Sequence, residues 1–209
     1  MADNYDFKDA GGSTLKARAK EVASGIFSNF VHLMTGGTEI ADANPLPVKG
    51  GLVVVSGEFT RNTDTNPYAI GHLVGNAANT PLTISGCARV NGGSGYIVRA
   101  ELITDLKSIT PSFRVRVFNA APTQSNDKTA FRSLYADTSK RVGSFTLGPM
   151  STPSDTTNST MSAASDMNLR LPFVCAAGTT DLLFLFDALT AFTPTSGQKF
   201  TLQLAIDQN

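Results

Sequence analysis

The stretch KFTLQLAID at residues 199–207 alternates apolar and polar side chains along most of its length. Its apolar positions are Phe200, Leu202, Leu204 and Ile206. Successive side chains of a β-strand point to opposite faces of a sheet, so this pattern predicts a strand with one buried face. The stretch SFRVRVF at residues 112–118 repeats the pattern, with Arg114 and Arg116 on its polar side. That polar face is predicted to be either solvated or part of an interface.

The same two-residue period recurs from residue 51 onward. It predicts strands at 51–59, 68–74, 82–90, 95–104, 112–118, 141–147, 168–174, 181–187 and 199–207. The run NGGSG at 91–95 is typical of a hairpin tip between two of these strands. About nine short strands separated by turns predict an all-β fold with an antiparallel β-sandwich or jelly-roll-like body over residues 51–209.

Two connections in this body are longer than a turn. Residues 119–140 form an insert, and we expect a helical turn within it around residues 130–136. Residues 151–166 are rich in Ser and Thr and almost lack large apolar groups. Such a stretch cannot bury enough surface to offset its ordering entropy, so it is predicted to be an exposed loop.

Residues 1–50 are predicted to be an extended N-terminal arm and hinge. Residues 1–13 are polar and contain glycine, which favours a flexible segment. Residues 14–34 are ambiguous, and we expect a short helix or irregular stretch followed by a strand at 29–34. The segment ADANPLPV at 41–48 is stiffened by its prolines, because each fixes φ and disfavours helix in the preceding residue.

The composition excludes several classes of function. Charged residues make up only 16% of the chain, and 17 basic residues balance 17 acidic ones. This balance argues against a nucleic-acid partner, which needs a clustered cationic surface, and against electrostatic attachment to a membrane. Uncharged polar side chains are cheaper to desolvate than ions, which suits a surface that packs against a partner. The alternative is that low charge is simply usual for a β-rich protein.

Histidine and cysteine give no pattern of a reactive site. His32 and His72 lie forty residues apart, without the neighbouring ligands that a zinc site requires. Cys87 and Cys175 lie among apolar or small residues, so we expect buried free thiols. A disulfide between them is left open. The N-terminal residues also lack the pattern of a secretion signal.

Acidic and amide side chains form two turn-like groups and one candidate carboxylate pair. The groups are Asn62, Asp64 and Asn66, and Asn126 with Asp127; they lack the spacing of an EF-hand calcium loop and are typical of turns. Glu58 and Glu101 are the candidates for paired carboxylates, although Glu101 shares a strand face with Arg99 and is expected to form a surface salt bridge or an interface contact. We therefore predict a non-enzymatic protein with no catalytic, metal or cofactor-binding residues.

Four stretches resemble motifs that recur, in the same order, in small structural proteins of tailed-bacteriophage particles. They are NPLPVKGG at 44–51, ISGCARVNGGSGYIVRAELI at 84–103, VFNAAPTQSNDKTAF at 117–131 and the C-terminal stretch 169–209, which begins LRLPFVCAAG. They are similar to the NPLPV segment, the strand–GGSG–strand unit, the FDTAPT loop and the C-terminal strands of that family. The resemblance spans about residues 44–209.

The resemblance implies a capsid decoration (cement) or head-associated protein that binds the major capsid protein. Such a protein is located on the capsid surface of the virion and is assembled in the host bacterial cytoplasm. A homo-oligomer is expected, with a trimer favoured because it matches local threefold positions of a shell. The arm would then contact the capsid, with Phe7, Phe27 and Phe30 as candidate partner-binding anchors. Packing of Phe27 and Phe30 into a core is the alternative.

Other roles remain open. One is a tail, neck or fibre component involved in host adsorption, and another is a glycan-binding β-sandwich module. The chain has no Trp and only 4 Tyr, which weighs against the aromatic platforms of a sugar site. A depolymerase that uses Glu58 or Glu101 is the least favoured alternative.

Overall fold

The computed structural model describes residues 51–124, 126–152 and 159–209 with their side chains. It describes strands within residues 4–39 by their backbone pairing alone. The chain divides into two compact units, Met1–Val48 and Lys49–Asn209. None of the described segments is a helix with the length and apolarity that a membrane span requires.

The N-terminal unit contains short antiparallel strands. They are β1 (Asn4–Lys8), β2 (Thr14–Glu21), β3 (Phe27–Phe30), β4 (Met34–Thr35) and β5 (Thr38–Glu39). The first three form a sheet in the order β1-β2-β3, and β4 pairs with β5. The hinge predicted at 41–48 lies outside the described residues.

The prediction of a short helix or irregular stretch at the start of 14–34 is wrong, because residues 14–21 are a strand. The sequence TLKARAKE alternates small or apolar residues with charged ones, which is the two-residue period of a strand. Leu15 and Ala19 also fit a helical spacing, and that coincidence suggested the wrong structure. Residues 4–8 form a strand as well, so the predicted flexible segment 1–13 is not unstructured throughout.

The described residues of the second unit contain ten strands and one short helix. The strands are β6 (Leu52–Thr60), β7 (Leu73–Val74), β8 (Leu82–Ile84), β9 (Ser94–Thr104), β10 (Phe113–Phe118), β11 (Arg141–Leu147), β12 (Ser162–Asp166), β13 (Leu171–Val174), β14 (Leu182–Ala188) and β15 (Lys199–Gln208). A 3₁₀ helix, Tyr135–Lys140, precedes β11. The helical turn expected around 130–136 is therefore shifted toward the C-terminus.

The ten strands form two antiparallel sheets, which confirms the predicted all-β, sandwich-like body. One sheet has the order β12-β9-β15-β6, with β13 also paired to β9. The other has the order β11-β10-β14-β7, with β8 also paired to β14. The two sheets bury their apolar faces in one core, in which aromatic rings from both sheets touch. The ring centroids of Phe59 and Phe186 are 5.2 Å apart, and those of Phe113 and Phe200 are 5.7 Å apart.

The predicted hairpin at 91–95 is wrong. β8 pairs with β14 in one sheet, whereas β9 lies in the other, so the NGGSG turn leads the chain between sheets. The expected strand 82–90 ends at Ile84 because the amides of Cys87 and Ala88 both donate to the carbonyl of Thr180, at 2.9 and 3.2 Å. These bonds hold the following residues against the turn before β14.

Part of the predicted loop 151–166 is a strand. β12 pairs with β9 from Ala100 to Thr104. Ser162 and Ala164 are buried there, at 0% and 7% exposure. Small side chains are sufficient at this edge of the core, so the lack of large apolar residues did not indicate a loop. Residues 153–158 lie outside the described residues.

The insert 119–140 contributes to a second apolar cluster. The cluster comprises Leu73, Phe118 and Leu185, with Phe131 and Leu183 packed against it. Arg116 lies over the Phe131 ring, 3.9 Å from the ring centroid, and donates to both carboxylate oxygens of Asp187 at 2.8 and 2.7 Å. The side chains of Arg116 and Asp187 are 11% and 3% exposed. The polar face of β10 is therefore covered at Arg116 by the protein's own chain. This corrects the expectation that this face is solvated or part of an interface.

Breaking this ion pair is expected to destabilise the body strongly. Asp187→Asn leaves the Arg116 charge buried without its carboxylate, so we expect the free energy of unfolding to fall by about 3 kcal/mol. Urea denaturation followed by circular dichroism measures the loss.

The matched control is Glu101→Gln, which breaks an exposed ion pair with Arg99. The Arg99 and Glu101 side chains are 41% and 23% exposed. We therefore expect the free energy of unfolding to fall by less than about 1 kcal/mol. Equal losses in the two variants would show that burial of the Arg116–Asp187 pair is unimportant.

Candidate binding surface

The two candidate carboxylates are each paired with a cation of their own sheet. Glu101 accepts from Arg99 at 2.7 Å, which confirms the predicted salt bridge, and Glu58 lies 3.2 Å from Lys199. β15 separates the two strands that carry the glutamates, so the backbones of those strands are about 10 Å apart. The glutamates are also offset along the strands, because Glu58 pairs with Thr201 and Glu101 pairs with Gln203. The sheet therefore places them as two separate surface ion pairs.

Both cysteines are buried and free, which confirms the expectation of buried thiols. Burial raises the pKa of Cys87 to about 12 and that of Cys175 to about 11. A thiol with such a pKa is almost fully protonated at neutral pH and is a poor nucleophile. His72 is half-buried, and its Nδ1 accepts the amide of Ala69 at 3.3 Å. His32 lies outside the described residues.

The two turn-like groups of Asn and Asp meet in the structure. Asn62 donates to Asp127 at 3.4 Å, and Lys128 donates to Asp64. Asp64 also accepts the amide of Asn66 at 3.0 Å. The bond from Lys128 is the main cause that holds the pKa of Asp64 below its ordinary value. The ammonium group of Lys128 thus takes the position at the Asp64 carboxylate that a bound cation would occupy.

A buried arginine completes this polar network. Arg61 is 1% exposed, and its Nε donates to the hydroxyl of Tyr68 at 2.5 Å. The Tyr68 hydroxyl donates in turn to Asp127 at 2.6 Å, and Asp127 also accepts the amide of Gly75 at 2.9 Å. Burial raises the pKa of Tyr68, so the hydroxyl stays protonated and can donate. The network joins three loops and is structural. No group of three His, Cys, Asp or Glu side chains that could hold a metal ion is found in the described part of the chain.

Exposed large apolar side chains are the other candidate feature. Within the described residues they are Leu52, Val54, Ile70, Val90, Leu134, Tyr135, Met167 and Val174. Tyr135 is the most exposed of them, at 94%. It lies at the start of the 3₁₀ helix, directly after Leu134, which is 39% exposed. We call residues 132–141 the knob.

The sequence-predicted anchors belong to the N-terminal unit. Phe7 is on β1 opposite Leu15, and Phe27 and Phe30 are on β3 opposite Glu21 and Arg18. Their side chains lie outside the described residues, so their role as anchors stays a prediction. Sequence reasoning did not identify Tyr135 as a binding residue, because the insert around it was interpreted as a long connection with a helical turn.

Removing the Tyr68 hydroxyl is expected to destabilise the body. Tyr68→Phe keeps the ring that stacks on Phe192 at 5.0 Å but leaves buried Arg61 Nε without its acceptor. We expect a loss of about 1 to 3 kcal/mol in the free energy of unfolding, measured by urea denaturation. Tyr135→Phe is the control, and its loss should be within about 0.5 kcal/mol. A Tyr68→Phe protein as stable as the control would exclude this role for the network.

No family model matches the chain, and no curated protein matches it.

Proposed function

We propose that this chain is a structural protein of a tailed-bacteriophage particle, and specifically a capsid decoration protein that binds the major capsid protein. The observation that carries the proposal is the set of large apolar side chains exposed on a body of two packed sheets. Tyr135 at 94% and Leu52 at 67% exposure are examples. Tyrosine at a surface supplies a large contact area at low entropic cost, which favours a role in contact with another protein.

The charges of the outer sheet face also suit this role. Arg99 is neutralised by Glu101, and Lys199 by Glu58. Between these pairs the outer face of β15 carries Thr201 and Gln203, which are half-buried. Neutral polar groups and paired charges cost less to bring against a partner than isolated ions.

The resemblance to phage structural proteins is the second support. Its segment 117–131 includes Phe131, which packs on the second sheet, and Asp127, which binds Tyr68. Its segment 84–103 includes most of β9, the central strand that pairs with β12, β13 and β15. The resembling residues are thus those that hold the body together.

Self-association is part of the proposal. Among the described residues β6 pairs on one side only, with β15, and its Leu52 and Val54 are 67% and 65% exposed. An edge strand with unpaired backbone groups and apolar side chains is a template for pairing with another chain. This supports a homo-oligomer, and a trimer would match the threefold positions of a shell.

Copy number tests the proposed location on the particle. We expect purified virions to contain on the order of hundreds of copies of this chain, because a decoration protein repeats with the symmetry of the shell. Quantitative gel densitometry against the major capsid protein provides the measurement. A few dozen copies or fewer would instead assign the chain to a tail, neck or fibre.

The N-terminal unit is expected to contribute to attachment. Deleting residues 1–43 should leave a β-rich body that pellets less efficiently with capsid shells. Replacing Phe7, Phe27 and Phe30 together by Ala in the full chain should also reduce pelleting. Circular dichroism checks the fold, and co-sedimentation measures attachment. Unchanged pelleting of both proteins would remove residues 1–43 from the capsid contact.

A further inference from the structure

The knob is held in place by hydrogen bonds to the rest of the insert. Asp137 is 8% exposed and accepts the amide and the hydroxyl of Thr123 at 2.9 and 2.8 Å. Lys140 donates to the same carboxylate at 2.9 Å and holds the pKa of Asp137 below its ordinary value. The carboxylate is therefore ionised at neutral pH, and these bonds weaken only on acidification. Tyr135 thus projects from a backbone that is already ordered.

Gln124 fixes the other side of the knob. Its side-chain nitrogen donates to the carbonyl of Ala130 at 2.9 Å, and its oxygen accepts the amide of Arg132 at 2.9 Å. Beside these bonds lies a hollow of about 390 Å³, lined in part by Arg132 and Leu134. A preordered surface of this kind loses little conformational entropy when it binds.

The knob has a local excess of positive charge. Arg132 and Arg141 are exposed, and neither has a carboxylate partner within ion-pair distance among the described residues. Lys140 is compensated by Asp137, so two positive charges remain on the knob. Arg141 lines a second, smaller hollow together with Leu134. Leu134 therefore lines a hollow with each of the two arginines, and Tyr135 follows Leu134 directly in the chain.

We propose that the knob is a docking surface for an acidic patch with an apolar depression on a partner protein. Tyr135 and Leu134 enter the depression, and carboxylates around it pair with Arg132 and Arg141. Tyrosine and arginine are the residue types that dominate binding energy at protein interfaces, and arginine matches carboxylates with two parallel hydrogen bonds. The partner is the major capsid protein, and this identification rests on the proposed function.

A protein partner fits better than a nucleic acid. The chain as a whole has no net charge, and a nucleic-acid site needs several cations along a backbone. The knob offers only two uncompensated cations, Arg132 and Arg141, together with the apolar side chains of Leu134 and Tyr135. These residues suit a small contact with a protein that has carboxylates around an apolar depression.

The test is co-sedimentation of the full chain with capsid shells that contain neither DNA nor the native decoration protein. We expect Tyr135→Ala to weaken binding about tenfold or more, because a central aromatic side chain is lost. Arg132→Glu and Arg141→Glu should each weaken binding and make it less sensitive to added salt, because an attractive ion pair becomes a repulsion.

Two variants elsewhere on the body are the controls. Met167→Ala removes another large side chain, which is 60% exposed. Lys107→Glu changes the net charge as much as each arginine variant does and alters an exposed residue outside the knob. Both should bind shells like the unmodified chain. Urea denaturation of every variant checks that the fold is retained.

The outcomes separate the two proposals. Binding of the unmodified chain, with loss confined to the knob variants, supports the docking surface. Binding that the knob variants retain overturns the docking surface and leaves the decoration role intact. Failure of the unmodified chain to bind shells overturns the decoration role, and the docking partner with it. Binding of a DNA duplex that Arg132→Glu and Arg141→Glu abolish would overturn the proposed protein partner.

Discussion

Contact between the apolar faces of two antiparallel sheets is the constraint on which the rest of the molecule depends. Phe59 from one sheet touches Phe186 from the other, and Phe200 touches Phe113 in the same way. Each strand can contribute to this contact only through alternate residues, because side chains alternate between the faces of a sheet. The alternation in the sequence is therefore a direct consequence of a core that lies between two layers.

The outer faces of the two sheets are used differently. On one sheet the outer face carries the exposed Arg99–Glu101 and Lys199–Glu58 pairs. On the other, the insert packs Phe131 over the second apolar cluster and covers Arg116. This packing has a cost, since the charge of Arg116 is desolvated and needs Asp187 beside it. The same packing fixes the insert on the second sheet, so the knob projects from an ordered backbone.

Much of the fold could be predicted from local sequence, because alternation is itself local. Residues 141–147 form the strand that their pattern predicts. Prediction failed where distant groups decide the structure. The strand from residue 82 ends early because Thr180 binds the amides that follow, and NGGSG at 91–95 crosses between sheets. In residues 14–21 a helical spacing obscured a regular alternation.

The candidate sites were less predictable than the strands. Asn62 and Asp127 were each identified as turn residues, but only the fold brings them together across 65 positions. Arg61 gave no signal, because nothing local indicates that a charged side chain will be buried. Tyr135 was missed because it lies in an insert that was interpreted as a connection, and no local pattern indicates that its side chain is exposed.

Because both thiols are protonated at neutral pH, they react slowly with oxidants. Cys87 and Cys175 are the only sulfhydryl groups in the chain, and both are shielded from solvent. Oxidants and alkylating reagents act on accessible thiolate, which neither residue supplies. Both thiols are therefore expected to stay unmodified in an oxidising medium while the body is folded, and copies of the chain will then not become cross-linked through them.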